Sequence, residues 1–140
     1  MKSIEQKALE IIKESEVTII GSVDNDGFPN IKAFLKPREH DGLKCFYFST
    51  NTSSMRVKQF LSNPKASLYF SINSRFFGLM LKGNIEVITD QEIKNRIWRD
   101  GDTIFYPLGK TDPDYCVLCF KSLNARLYEN LNSTEINIKS

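Results

Sequence analysis

The chain has 140 residues, of which 41% are hydrophobic and 26% are charged, and its net charge is +2. These proportions are typical of a soluble globular domain whose core is large enough to fold without disulfide bonds or metal ions, and they disfavour membrane and disordered classes. No apolar run approaches the roughly 20 residues of a spanning helix, and the N-terminus is too charged for a secretory signal. Three cysteines are too few, and odd in number, for a disulfide framework. We therefore expect a single cytoplasmic domain over residues 1–140.

Basic residues are concentrated in the middle of the chain. Between Lys32 and Lys65 there are seven basic residues and two acidic ones, an excess of 7 − 2 = +5, whereas the remainder is slightly acidic. Such a local excess favours a pocket for an anionic ligand over a broad nucleic-acid surface, although a solvated surface gives the same count.

The chain opens with one predicted helix and continues with strands. Apolar residues at helical spacing predict an amphipathic helix from Ser3 to about Ser15. The segments "VTIIGSV" and "FPNIKAFLK" are predicted to pair as a hairpin around the turn "DNDG". In the second of these strands we expect one face to point to the core (Ile31, Ala33 and Leu35), while the other carries two lysines around an aromatic ring.

Four more strands and two more helices are predicted downstream. The strands are "LKCFYFST", "KASLYFSI", "FGLMLKGNIEVIT" and "YCVLCF", the last with "ARLYE" as a candidate extension. Gly83 is expected at a bend or a close approach, and Asp90 is expected to cap the helix "QEIKNRIWR". About six strands with few helices predict a small closed or partly open barrel, so the fold class is mainly β (α+β).

The segment "FYFSTNTSSMRVKQFLSNPK" joins an aromatic strand to a short helix. We expect Thr52 or Ser53 to cap this helix, which ends before Pro64. The helix is predicted to run for about two turns and to bury one apolar side, formed by Met55, Val57, Phe60 and Leu61. A helix that starts where a strand ends points free N–H groups and the positive end of its dipole at an anion.

Polar side chains around this helix start suit phosphate oxygens. Thr50, Ser53 and Ser54 supply hydroxyl donors, and Arg56 supplies a planar fork of N–H donors. The alternative interpretation is a helix that is capped by its own Ser or Thr and carries an exposed arginine.

Other chemistries find little support in the sequence. Cys116 and Cys119 have redox or zinc spacing, but a strand points them to opposite faces, so we expect two core residues. His40 is the only histidine, which leaves neither a histidine metal cluster nor a catalytic triad. Asp112 and Asp114 flank a proline and are interpreted as a turn, with a cation site as the alternative.

Four segments in order resemble the pyridoxamine 5′-phosphate oxidase-like FMN-binding split barrels. The run from Thr50 to Arg56 resembles the phosphate-binding segment of that family, and "DNDGFPNIKAF" resembles its hairpin and flavin-facing strand. "LKGNIEVITDQEIKNRIW" is similar to its glycine-bearing strand and following helix, and "FYPLGKTDPDYCVLCF" is similar to the general stress protein branch. The resemblance implies a six-stranded antiparallel split β-barrel with an N-terminal helix and short connecting helices.

The resemblance also implies a cofactor and the residues that hold it. FMN would lie at the interface of a homodimer, with its phosphate held by the hydroxyl and arginine residues and its ring flanked by two strands and by aromatic residues, some from the partner chain. Trp98, Phe105 and Tyr106 would be the partner-chain aromatics, with plain core packing as the alternative. The charge of Lys32, or a backbone N–H group, would raise the flavin potential, and Lys36 is a spare candidate beside Lys32. The implied cofactor-binding residues are Lys32, Ala33, Phe34, Phe48, Ser49, Thr50, Ser53, Ser54, Arg56, Lys58, Trp98 and Phe105.

Two departures from the family pattern limit what the resemblance implies. Met55 occupies a position at which the family often has a second cation. The missing charge implies either weaker phosphate binding or compensation by Lys58. Pyridoxamine 5′-phosphate oxidases proper carry an arginine-rich C-terminal substrate segment, which "NLNSTEINIKS" does not resemble. We therefore do not expect oxidation of vitamin B6.

Three functional classes follow from the sequence. The first is an FMN-dependent oxidoreductase that acts on a small substrate with an electron donor, and the second is a non-catalytic flavin or ligand carrier or sensor in a stress response. The third and weaker class is a single-stranded nucleic-acid binder, because a small barrel with aromatic and basic residues can stack bases. A nearly neutral chain disfavours this third class, so we expect neither a nucleic-acid nor a membrane partner.

Overall fold

The computed structural model describes residues 1–138, and over this range it shows an antiparallel sheet with three α-helices. The arrangement is a mainly β, split-barrel fold, which confirms the predicted class. The helices are α1 (Ile4–Glu14), α2 (Met55–Ser62) and α3 (Gln91–Ile97). The strands are β1 (Thr18–Val23), β2 (Pro29–Phe34), β3 (Glu39–Asp41), β4 (Cys45–Asn51), β5 (Lys65–Ile72), β6 (Phe77–Ile88), β7 (Tyr115–Glu129) and β8 (Asn132–Asn137).

The described residues contain eight strands, two more than the sequence predicts. β3 is a short strand that pairs antiparallel with the start of β4. The last predicted strand and its candidate extension form one strand, β7, whose second half gains β8 as a partner. In the described part of the chain, no helix has the length and the apolar character needed to cross a membrane.

The sheet does not close, and this open seam positions the candidate site. The strand order is β2-β1-β5-β6-β7-β4-β3, with β8 paired to β7. In the described range β2 pairs with β1 alone, and β3 covers only the first three residues of β4. Both β2 and the second half of β4 therefore keep a free strand edge.

The main core lies against the inner face of the sheet and includes side chains of α1 and α2. Ser3 caps α1 through a capping box with Gln6, and the helix buries Ala8, Ile11 and Ile12, as its periodicity predicts. Cys116 and Cys119 belong to two different apolar clusters, which confirms that they point to opposite faces of β7.

The sequence assigns the wrong face of β2 to the core. Ile31 and Leu35 are 76% and 65% exposed, and Ala33 is also exposed. Lys32 instead lies opposite the buried Ile20, and the ring of Phe34 packs against the core. An edge strand beside an open seam need not bury its more apolar side, so alternation alone does not identify the inner face.

Gly83 marks a close approach, as predicted. The register between β6 and β7 shifts at Lys82/Gly83, and a Cβ atom added at Gly83 would lie 2.0 Å from the carbonyl oxygen of Lys121. Glycine is required here because the neighbouring strand occupies the space of any side chain.

Candidate functional site

A cavity of about 360 Å³ lies at the open seam of the sheet, between β2 and β4 and beside the start of α2. Its size falls within the roughly 300–1,000 Å³ that is usual for small-molecule sites. We call this cavity the seam cleft. It brings together nine of the twelve predicted cofactor-binding residues: Lys32, Ala33, Phe34, Phe48, Ser49, Thr50, Ser54, Arg56 and Phe105.

The other three predicted residues lie outside the seam cleft of their own chain. Ser53 and Lys58 are exposed to solvent. Trp98 is half-buried behind the cleft, where its ring centroid lies 6.0 Å from that of Tyr106. The cleft-lining Phe105 and Tyr106 reach it from the same chain.

Three lining residues are not among the cofactor-binding residues predicted from the sequence: Leu35, Arg38 and Asn51. Arg38 was visible only as one of the seven central basic residues. Its place in the wall depends on Asp102, which is 64 residues away in sequence. No local pattern signals such a pairing.

Ser54, and not Thr52 or Ser53, caps α2. The Ser54 hydroxyl accepts a hydrogen bond from the Val57 N–H at 3.3 Å. The Thr52 and Ser53 N–H groups both donate at 2.8 Å to Asp114, one to its carbonyl and one to its carboxylate. This tertiary contact holds both residues outside the helix.

The buried side of α2 also differs from the prediction. Val57 and Phe60 are buried as expected, but Met55 and Leu61 are 58% and 71% exposed. Gln59 takes the remaining buried position, because its side-chain oxygen accepts a hydrogen bond from the Ser22 hydroxyl. Met55 consequently lines the seam cleft instead of the core.

Arg56 is the cation at the helix end of the cleft. No ion pair in the described residues includes Arg56, and its Nε is buried without a hydrogen-bond partner. A shielded guanidinium nitrogen without an acceptor is costly, and a bound anion would supply acceptors for the group. Together with the Ser54 and Thr50 hydroxyls, Arg56 makes this end of the cleft suitable for a phosphate.

Arg38 forms a buried ion pair in the opposite wall. Its Nη1 and Nη2 atoms donate to the two carboxylate oxygens of Asp102 at 2.7 and 3.0 Å. Asp102 also accepts the Arg99 N–H at 3.0 Å, and the Arg99 guanidinium donates to the Arg38 carbonyl. These bonds fasten the segment that carries Phe105 and Tyr106 to the chain that follows β2.

The ionisation of this pair follows from its contacts. The hydrogen bond with Asp102 raises the pKa of Arg38 despite the opposing effect of burial. Burial raises the pKa of Asp102, but the hydrogen bonds from Arg38 and Arg99 lower it further, so the pKa lies below its usual range. Both groups are therefore charged at neutral pH.

Aromatic rings and strand edges form the rest of the cleft wall. The rings of Phe34 and Phe48 meet edge to face, with centroids 6.1 Å apart. Burial raises the pKa of Tyr106, against a hydrogen bond with Ser49 that lowers it, so the phenol is neutral. The free edges of β2 and β4 offer backbone donors and acceptors to a flat heterocycle.

The two lysines of β2 and its extension differ in their contacts. Lys36 donates from Nζ to the carbonyl of Lys13 at 3.0 Å, next to the C-terminal end of α1. Lys32 forms no ion pair with a carboxylate in the described residues. Lys32 and Arg56 are thus the cleft cations that remain available to a ligand.

Known proteins agree with this fold. A solved protein from Clostridium acetobutylicum, described as related to general stress protein 26 and to the pyridoxinephosphate oxidase family, is 40% identical to this chain. The match covers 96% of this chain and 94% of that one, with a TM-score of 0.87. A heme binding protein from Mycobacterium smegmatis shares the fold at a TM-score of 0.76 and 14% identity, over 98% of this chain and 59% of that one.

Curated relatives point to the same family. The pyridoxine/pyridoxamine 5′-phosphate oxidase of Rhizobium johnstonii is 34% identical over an alignment of 92 residues, and the match covers 59% of this chain and 43% of that protein. The match thus spans less than half the length of that relative. The family model for pyridoxamine 5′-phosphate oxidase matches residues 4–128. The chain therefore belongs to the pyridoxamine 5′-phosphate oxidase family, with solved relatives among the general stress proteins.

Proposed function

We propose that the protein binds FMN in the seam cleft and uses it as a redox cofactor. The observation that carries the proposal is the Arg56 guanidinium at the start of α2, whose Nε is buried without a hydrogen-bond partner and which forms no ion pair within residues 1–138. The other walls of the cavity are aromatic rings and free strand edges. FMN combines a phosphate with a flat heterocycle, so its two ends match the two ends of this cavity.

The phosphate end would be held by groups that the fold leaves available. Thr50 and Ser54 line the cleft with hydroxyls, and the first N–H groups of α2 point out of the helix start. Arg56 adds the formal charge. Because the Ser53 N–H is already bonded to Asp114, we place the phosphate on the Ser54 and Arg56 side of the segment.

The ring end would be held along the edges of β2 and β4. Lys32 lies beside this space and offers a positive charge to the flavin ring, which gathers negative charge when it is reduced. Phe105 and Tyr106 close the far side and exclude water from the ring.

Bound FMN supplies hydride and electron transfer to a small substrate. We propose an FMN-dependent oxidoreductase, and keep a non-catalytic flavin carrier or sensor as the alternative, for which the same cleft suffices. The three cysteines are free thiols, as is usual in a reducing compartment, and we propose that the protein acts in the cytoplasm.

We propose that a second copy of the chain covers the outer face of the sheet, with FMN near that interface. This face carries a cross-strand row of aligned side chains that continues from the cleft residue Ala33. The row consists of Ala33, Ile19, Tyr69, Met80 and Arg126. Exposed apolar surface next to a ligand site is typical of a protein interface.

The decisive test is FMN binding by the purified protein. We expect a yellow protein with flavin absorption bands and about one FMN per chain, and a higher melting temperature when FMN is added to the apoprotein. Colourless protein whose melting temperature does not respond to FMN would disprove the cofactor.

Parallel titrations separate the other classes. Hemin is included because of the heme-binding structural neighbour, and single-stranded DNA is included for the nucleic-acid class. The one histidine, His40, is exposed and stacks on Phe46 outside the lining of the cleft, so we expect FMN to bind far more tightly than hemin. NADH or NADPH oxidation with a range of acceptors then distinguishes an oxidoreductase from a carrier.

A further inference from the structure

The loop Asp112-Pro113-Asp114 contacts the phosphate end of the seam cleft without lining it. Asp114 immediately precedes β7, whose first residue Tyr115 pairs with Asn51 at the end of β4. This register brings Asp114 next to the segment Asn51–Ser54, which joins β4 to α2.

Asp114 binds three successive residues of that segment. Its carboxylate accepts hydrogen bonds from the Asn51 side chain and from the Ser53 N–H, both at 2.8 Å. Its backbone carbonyl accepts the Thr52 N–H, also at 2.8 Å. The bonds from Asn51 and Ser53 lower the pKa of Asp114, so the group is ionised at neutral pH.

Asp112 in turn fixes Asp114. One Asp112 carboxylate oxygen accepts the Asp114 N–H at 2.9 Å, and the other accepts the Leu108 N–H at 3.0 Å. The buried Lys94 donates from Nζ to the Asp112 carbonyl. The loop thereby links the segment that carries Phe105 and Tyr106 to the start of α2.

We propose that Asp114 is a positioning residue, which holds the segment Asn51–Ser54 in the conformation that presents Ser54 and Arg56 to the phosphate. The inference rests on the proposed binding of FMN. A carboxylate near a phosphate site repels the phosphate, so its presence costs affinity unless it positions the donors. If repulsion dominates, removal of this carboxylate tightens FMN binding, and if positioning dominates, its removal weakens FMN binding.

The test is Asp114→Asn, which removes the charge and one of the two side-chain acceptors. We expect FMN to bind about tenfold more weakly, whereas riboflavin, which lacks the phosphate, changes by less than about twofold. The affinities are measured from the quenching of the single tryptophan, Trp98, and from flavin fluorescence. Asp41→Asn is the matched control, because it removes the same charge beside Cys45, at the opposite end of β4.

Two results would overturn the inference. The first is tighter or unchanged FMN binding in Asp114→Asn, which means that repulsion of the phosphate outweighs any positioning of its donors. The second is an equal loss of affinity for FMN and riboflavin, which means a general loss of structure. Asp112→Asn is a second variant in case Asp114→Asn folds poorly, and we expect it to shift FMN binding in the same direction by a smaller factor.

Amide hydrogen exchange of the apoprotein tests the positioning without any ligand. In Asp114→Asn we expect the Ser53 amide to exchange at least about tenfold faster. The exchange of the Trp98 amide, which donates to the Lys94 carbonyl and caps the C-terminal end of α3, should be unchanged. Unchanged exchange at Ser53 refutes the inference. A wild type that binds no flavin refutes the proposed function instead, and the Ser53 amide then decides the role of Asp114 alone.

Discussion

At the scale of single residues, Arg56 and Met55 decide the character of the phosphate end. They are neighbours in the first turn of α2, and both line the seam cleft. Arg56 brings a guanidinium that forms no ion pair within residues 1–138, and Met55 brings an exposed thioether where the family often has a second cation. Among the described residues that line this end of the cleft, Arg56 is therefore the one with a formal charge.

The first prediction concerns Arg56→Ala. We expect FMN affinity to fall about 10- to 100-fold, because charge-assisted hydrogen bonds to the phosphate are lost, whereas riboflavin affinity changes little. Both constants come from fluorescence titration. Equal losses for the two flavins would exclude Arg56 as a phosphate ligand.

Lys58→Ala is the informative comparison for Arg56→Ala. Lys58 lies on the same helix but is exposed and outside the cleft, so we expect less than about a twofold change in FMN affinity. A loss as large as that of Arg56→Ala would show that Lys58 does compensate for the missing cation.

The second prediction concerns Met55→Lys. Adding a cation where Met55 lines the cleft is expected to tighten FMN binding several-fold at low salt, and the gain should shrink as salt rises. Met55→Gln is the control, since it is polar and of similar length but uncharged. If both variants bind FMN equally well, charge is not limiting at this site.

At the scale of elements, two close contacts hold neighbouring parts of the fold together. The bulge at Gly83 lets β6 cross β7 with almost no space between them, and the Arg38–Asp102 pair fastens the loop after α3 to the chain after β2. Neither contact touches the proposed phosphate site.

The third prediction concerns Gly83→Ala. Its Cβ would lie 2.0 Å from the Lys121 carbonyl oxygen, so the two strands must separate. We expect the free energy of unfolding to fall by about 1–3 kcal/mol, measured by urea denaturation. Gly21→Ala in β1 is the control, because the nearest atom there lies at an ordinary 3.7 Å. Equal losses in both variants would mean that strand glycines, and not this close approach, set the cost.

The fourth prediction concerns the Arg38–Asp102 ion pair, whose side chains are only 9% and 6% exposed. Asp102→Ala is expected to cost about 3–5 kcal/mol of unfolding free energy, since it leaves a buried charge without a partner. The double variant Arg38→Ala with Asp102→Ala should be more stable than Asp102→Ala alone. A double variant that simply adds two losses would contradict this coupling.

The same pair sets a pH dependence with a defined sign. The pKa of folded Asp102 lies below its ordinary value of about 3.9. Its contribution to stability is therefore complete above that value and is lost as the pH falls toward the lowered pKa. Between about pH 5 and pH 2, Asp102→Ala should lose less stability than the wild type does, as measured by thermal melts across that range.

At the scale of the whole molecule, the outer sheet face is an exposed apolar surface beside the cleft. Ile31 is largely exposed, and Tyr69 lies on the same face and is 37% exposed. Apolar side chains are exposed here on an edge strand and on the strands beside it. Their burial against a second copy of the chain would stabilise the fold.

The fifth prediction follows from that surface. Ile31→Glu and Tyr69→Lys are expected to convert a dimer into a monomer and to weaken FMN binding, as measured by light scattering and titration. Leu61→Glu is the control, because Leu61 is 71% exposed on α2 and lies away from the sheet face. A wild type that is monomeric at micromolar concentration would contradict the proposed interface.

Local patterns were enough to predict the three helices, six of the eight strands and much of the candidate site. The periodicity from Ser3 to Ser15 predicted α1, Gly83 marked a close approach, and Asp90 caps α3 as expected. The hydroxyl and arginine cluster before α2 identified one end of the cleft. These features are short-range, because spacing, caps and steric limits act within a few residues.

Long-range contacts decided the rest. The sequence by itself determined a mainly β chain with a segment suited to bind an anion. The buried face of β2 was decided by the tertiary structure, because β2 is an edge strand that pairs with β1 alone in the described residues. Ser54 caps α2 because Asp114 binds the residues before it. Arg38 lies in the cleft wall because it forms an ion pair with Asp102. Such pairings join residues about 60 positions apart, and only the packed sheet brings them within hydrogen-bonding distance.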